Sequence, residues 1–232
     1  MTRHVLPGDP PVAVALRRSA RARRLSLRVS GADGRVTLTL PRSSPLREGL
    51  AFLREREGWV RERLGRVEAV VPRFGATIPF EGRPLLLVPG PRVSWGEGAL
   101  EMPGDAAALP RRLLLVLRKA ARERLAAACA LHAGRLGRPH GRIALRDARS
   151  RWGSCSARGD LMFSWRLVLA PPAVLDYVAA HEVAHLARMD HSPAFWAVVE
   201  ELCPGHAAHR AWLRQHGAGL HRLRLEPGAD LD

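Results

Sequence analysis

The segment from Pro171 to Met189 constrains this chain more than any other. Pro171 and Pro172 open it, and proline suits the first turn of a helix. Wound at about 3.6 residues per turn, Val174, Leu175, Val178, Ala179, Leu186 and Met189 share one broad apolar face. His181 and His185 fall at its edge. Four residues make about 1.1 turns, so the two imidazoles project from one side, roughly 6 Å apart, and can take adjacent corners of a tetrahedral metal site. Histidines at the margin of a core face leave ring nitrogens that need partners, and one metal ion serves both. Glu182, one residue along, lies on a neighbouring face from which it can reach an attacking water as general base.

His191 follows six residues after His185, past the helix end expected at Met189–Asp190. A catalytic zinc takes three protein ligands and keeps a fourth position open, so the expected ligands are His181, His185 and His191, with zinc as cofactor. Metzincins place a third histidine at this spacing with a glycine midway. Arg188 occupies that place here, so the chain must turn differently, around Asp190, and no metzincin is assigned.

The remainder of the sequence supplies a frame for this segment. Period-two apolar patterns at 12–16, 25–29 and 36–40, with a turn at Gly31–Gly34, predict a β-meander. Residues 46–67 carry apolar positions at helical spacing and predict one amphipathic helix. Strands are expected at 76–80, 84–88, 92–95 and 99–102, then a helix from about Pro110 to His132, ending at Gly134. The predicted strands give way to a long helix near 103–110, which places a β-rich N-terminal region with one helix over 1–105 and a second domain over 106–232. Beyond Gly141 the pattern reads as a strand at 142–146, a glycine-containing loop at 149–160, a strand at 161–169, and helices from Pro172, Pro193 and His206. The expected fold class is therefore α+β.

Composition narrows the function classes. Apolar residues make up 47% of 232, enough to bury a core, yet the longest apolar runs fall well short of the roughly 20 residues that span a bilayer. With no secretory signal pattern and three widely spaced cysteines outside any Cys-x-x-Cys pair, a cytoplasmic protein without membrane association is expected. The formal charge is +15, but it is almost wholly arginine, Lys119 being the sole lysine, and it is spread along the chain. A dedicated nucleic-acid binder clusters its basic residues, so a nucleic-acid or nucleotide partner is a secondary expectation.

The loop Arg151-Trp152-Gly153-Ser154-Cys155-Ser156 precedes the strand expected beside the metal helix. Gly153 and Ser154 can leave room and polar groups for an extended peptide, and Arg149, Arg151 and Arg166 can bind a carboxylate or phosphate. Arg151, Trp152, Gly153, Ser154 and Arg166 are therefore the candidate substrate-binding residues. Trp165, Phe195, Trp196 and Trp212 read as core.

Together with Ser164-Trp-Arg-Leu-Val-Leu-Ala-Pro171, His181-Glu-Val-Ala-His185, His191-Ser-Pro-Ala-Phe-Trp196 and Cys203-Pro204, this loop resembles the YgjP-like and SprT-like metallopeptidases. The likeness is close over 110–216 and looser before it. It implies a minimal zincin in which a strand flanks the active-site helix, three histidines hold zinc and Glu182 is the base. The expected activity is peptide-bond hydrolysis of a protein or peptide substrate. The alternatives are hydrolysis of a nucleotide pyrophosphate bond at the same centre, and a protease acting on proteins held on nucleic acid.

Overall fold

A computed structural model describes residues 2–8, 10–31, 34–65, 70–148 and 150–225. The chain divides into two compact units, Met1–Ala69 and Val70–Asp232. In the first, the alternating valines and leucines form strands β1 (Thr2–Leu6), β2 (Val12–Ser19), β3 (Ser26–Val29) and β4 (Val36–Pro41), followed by helices α1 (Leu46–Glu55) and α2 (Glu57–Gly65). Val12, Val14, Val36, Leu38 and Leu40 point inward and meet Leu53 and Val60. The sheet order is β1-β2-β4-β3, with β2 and β4 parallel, so the expected meander is replaced by a crossover. The two strands with the strongest apolar alternation take the centre, and β3, which carries Arg28, takes an edge. Residues 32 and 33 of the expected 31–34 turn lie outside the described residues.

The single helix expected over 46–67 is broken at Arg56, whose backbone leaves the helical region at φ −100° and ψ 10°. Glu55 to Gly58 offers no apolar side chain to hold against the sheet, and a glycine costs a helix about 1 kcal/mol. Residues 66 and 67 lie outside the described residues.

The second unit opens with β5 (Thr77–Phe80), β6 (Arg83–Pro89), β7 (Ser94–Trp95) and β8 (Ala99–Met102), in the order β5-β6-β8-β7. Glu81 and Gly82, both at positive φ, make the tight β5–β6 turn as a two-residue hairpin loop requires. Helix α3 (Leu109–Leu136) runs through Gly134, where an end was expected, and stops at Gly137, which takes the left-handed cap at φ 67°. Then come β9 (Ile143–Arg146), β10 (Gly153–Cys155) and β11 (Leu161–Ser164), a 3-10 helix at Trp165–Leu169, α4 (Pro172–Ala184), α5 (Pro193–Leu202), α6 (His206–His216) and a second 3-10 helix at Gly217–His221. The small sheet has the order β10-β11-β9, with β10 antiparallel and β9 parallel to β11.

The compact units divide about 35 residues before the boundary expected at 103–110. Ile78, Leu87, Leu100 and Met102 of the β5–β8 sheet share one core with Leu109, Leu113 and Leu117 of α3 and with Val178, Ala179 and Val183 of α4. Burying such side chains yields roughly 1.5–3 kcal/mol each, which holds that sheet with the helices that follow it. The fold is α+β, and among the described residues no helix is long and apolar enough to cross a membrane.

Candidate metal centre

Helix α4 ends five residues earlier than its apolar pattern suggests, and that early end shapes the site. His181 and Glu182 lie in its last turn, while His185 is the residue that terminates it. The Nδ1–H of His185 donates to the Arg188 carbonyl at 3.0 Å, which leaves its Nε2 lone pair free to face the site. The chain turns back through Asp190, whose Oδ1 accepts from the Ser192 amide at 3.0 Å, and Ser192 in turn caps α5 by accepting from the Phe195 amide. Arg188 keeps a negative φ, so the turn needs no glycine there.

This turn brings His191 back to the helix. The ligand atoms of His181, His185 and His191 all lie within 4.8 Å of one another. The Nε2 atoms of His181 and His191 are 3.3 Å apart. Two nitrogens each about 2.0–2.1 Å from a tetrahedral zinc are separated by about 3.3 Å, so this pair already has the edge length of such a site. Phe195, fully buried, lies beneath all three rings, at 4.4 Å from His185, 4.9 Å from His191 and 5.0 Å from His181 between centroids. Burial, with the neighbouring His185 and His191, drives His181 down to about 3, and burial also lowers His185. Both imidazoles are therefore neutral at pH 7, as metal ligands must be. The Nδ1 of His181 is buried without a partner. The donor set fits a nitrogen-ligated divalent metal.

Glu182 is 5% exposed. Burial pushes its carboxyl up to about 7, against the opposing pull of the Arg151 guanidinium. Its carboxylate rests on the backbone of β10: a Cβ at Gly153 would lie 2.5 Å from Glu182 Oε1 and 2.6 Å from its Cγ. Only glycine leaves that carboxylate in place. The loop expected at 149–160 thus contains a strand, β10, with β11 on one side, and this edge strand runs beside α4.

The other candidate substrate residues divide. Ser154 is half-buried in β10 opposite Met162, and Arg151 is exposed and acts on Glu182. Trp152 turns the other way, its ring 5.3 Å from His221 and against Gly217, so it supports the strand from behind. Arg166 is taken up by partners within the fold. It is 6% exposed, its Nε and Nη2 bind the two oxygens of Asp147 at 2.6 and 3.0 Å, and its Nη1 donates to the carbonyls of Leu220 and Leu223. It sits in the 3-10 helix that replaces the second half of the strand expected at 161–169. Arg149 lies outside the described residues. Phe195 and Trp196, which read as core, face the histidines, and Tyr177, one turn before His181, has its ring 6.0 Å away. An apolar residue three or four positions after a ligand was the available signal for Phe195.

A histidine triad beside a glutamate buried on an edge strand is the arrangement of a metal-dependent hydrolase. A profile of YgjP-like metallopeptidase domains matches residues 23–216. The chain belongs to the YgjP-like metallopeptidases, and it is a hydrolase of that class. No curated protein matches it. Among solved structures it is similar to the crystal structure of the metallopeptidase zymogen of Pyrococcus abyssi abylysin, at 22% identity and a TM-score of 0.34, over 42% of this chain and 92% of that one.

Proposed function

We propose that this metallopeptidase holds one zinc ion through His181, His185 and His191 and cleaves peptide bonds with Glu182 as general base. The convergence of three imidazole donors within 4.8 Å carries this reading. When bound, zinc supplies Lewis acidity toward a carbonyl and toward water. Glu182 takes the proton of the attacking water and delivers it to the leaving nitrogen, a role suited to a carboxyl pushed up near neutrality by burial. Gly153 keeps that carboxylate against β10, and the free edge of β10 is the place where the substrate main chain pairs. Phe195 fixes the three rings and keeps water from beneath them.

We assign this chemistry to residues 106–232 and place the protein in the cytoplasm, a reading supported by three free cysteines. Hydrolysis of nucleotide pyrophosphate bonds is weakened as an alternative, because the guanidinium of Arg166 is already committed to Asp147 and two carbonyls. The test is metal content by mass spectrometry together with cleavage of unfolded casein and of nucleoside triphosphates. About one zinc per chain, lost in His191→Ala and kept in Glu182→Gln, with casein cleavage abolished in both, is the expected outcome. Zinc retained in His191→Ala, or triphosphate hydrolysis in place of casein cleavage, overturns it.

A further inference from the structure

Beside His185 the surface opens into a cleft of about 410 Å³, bounded by Arg138, Arg158, Gly159, Leu186 and Met189 among others. We infer that this cleft is a specificity subsite that takes an acidic side chain of the peptide substrate, an inference that rests on the peptidase reading of the three-histidine site. Two arginines line it, and among the described residues no acid does. The acids next to it in sequence are held by backbone amides. Asp160 accepts from the Arg142 amide at 2.8 Å, and Asp190 accepts from the Ser192 amide at 3.0 Å.

The backbone that carries the walls is held by hydrogen bonds. The Nη1 of Arg138 donates to the Leu186 carbonyl at 2.8 Å, which ties its guanidinium to the residue after His185. Arg158 sits on the β10–β11 turn, which is closed by bonds from the Gly159 amide to the Ser156 carbonyl at 2.9 Å and from the Asp160 amide to Ser156 Oγ at 3.1 Å. That turn abuts the end of α4: a Cβ on Gly159 would lie 3.2 Å from Leu186 Cδ2.

The position of the cleft follows the substrate's path. A peptide paired on the free edge of β10 passes Glu182 at Gly153 and reaches the 156–159 turn about three residues later, roughly 10 Å at the rise of a strand. A side chain one to three residues from the scissile bond therefore arrives between Arg138 and Arg158. Guanidinium groups bind carboxylates through paired, charge-assisted hydrogen bonds, and the cleft walls reduce the screening such a pair meets on an open surface.

The experiment uses the full chain loaded with zinc and a set of quenched peptides in which Glu, Gln and Lys are scanned through the positions flanking the cleaved bond. At one position Glu is expected to exceed Gln by about fivefold to tenfold in kcat/KM, with Lys lowest. Arg158→Gln abolishes that ranking and Arg158→Glu inverts it toward Lys, a reversal that loss of structure alone does not produce. Because Arg138 also braces Leu186, Arg158 carries the decision. A ranking that is flat at every position, or unchanged in both Arg158 variants, overturns the subsite and leaves the peptidase reading standing.

If zinc-loaded wild type cleaves none of the peptides, the peptidase reading fails. The subsite is then decided by fluorescence anisotropy of labelled Glu, Gln and Lys peptides on the Glu182→Gln variant. Tighter binding of the Glu peptide that Arg158→Glu reverses supports it. Equal binding overturns it, as does displacement by a nucleoside triphosphate that Arg158→Gln relieves, which marks a phosphate site.

Discussion

A single methyl group at residue 153 would test how far catalysis depends on the placing of one carboxylate. Gly153→Ala forces Glu182 off β10 while leaving the three histidines untouched. The expected result is a loss of about 100-fold in kcat with zinc content and KM little changed, since misplacement by about 1 Å costs on that scale. Steady-state kinetics beside metal analysis checks it. Arg166 belongs to the same scale but to stability. Arg166→Met removes the guanidinium that binds Asp147 and two carbonyls, and an unfolding loss of about 3 kcal/mol is expected from denaturant titration. Burial pushes the Cys129 thiol up to about 12, so at pH 8 a thiol reagent should label half-exposed Cys155 first and Cys129 only after unfolding, as peptide mapping would show.

At the scale of elements, the decisive piece is the reversal between α4 and α5. Asp190 and Ser192 build it, so the double substitution Asp190→Ala, Ser192→Ala should cost about 1 kcal/mol of cap energy and weaken zinc binding about tenfold in a chelator competition. The clustering of the three histidines was legible because a four-residue spacing has one meaning on a helix and His191 stands just beyond it. The three-residue strand β10 was not, since Gly153-Ser154-Cys155 shows no alternation and pairs only through contacts with Phe163, Met162 and Leu161. Trp165–Leu169 read as strand because an apolar run buried on every side has no period; all five residues are buried in a 3-10 helix. The partners of Arg166 were not legible either, because Asp147 lies 19 residues away and its two carbonyl acceptors 54 and 57, beyond any local pattern. The crossover between β2 and β4 was hidden for the same reason, as alternation marks a strand but not its neighbour.

At the scale of the whole molecule, two separate apolar cores, one in Met1–Ala69 and one in Val70–Asp232, imply two unfolding events. Calorimetry is expected to resolve two transitions, of which only the one for Val70–Asp232 responds to zinc. Free zinc at about 100 times its Kd adds about 2.7 kcal/mol, or about 5–10 °C in Tm for a unit of this size, and a chelator removes it. A single transition, or equal shifts in both, would contradict this. The contact made by Arg166 also bears on synthesis. Its guanidinium leaves the ribosome well before Leu220 and Leu223 exist to receive it, and Trp152 waits as long for Gly217 and His221. All three histidines are translated by then, yet the contacts that brace β10 from behind close only when residues 217–223 emerge. A growing chain thus carries its histidines before the support of the strand beside them can form.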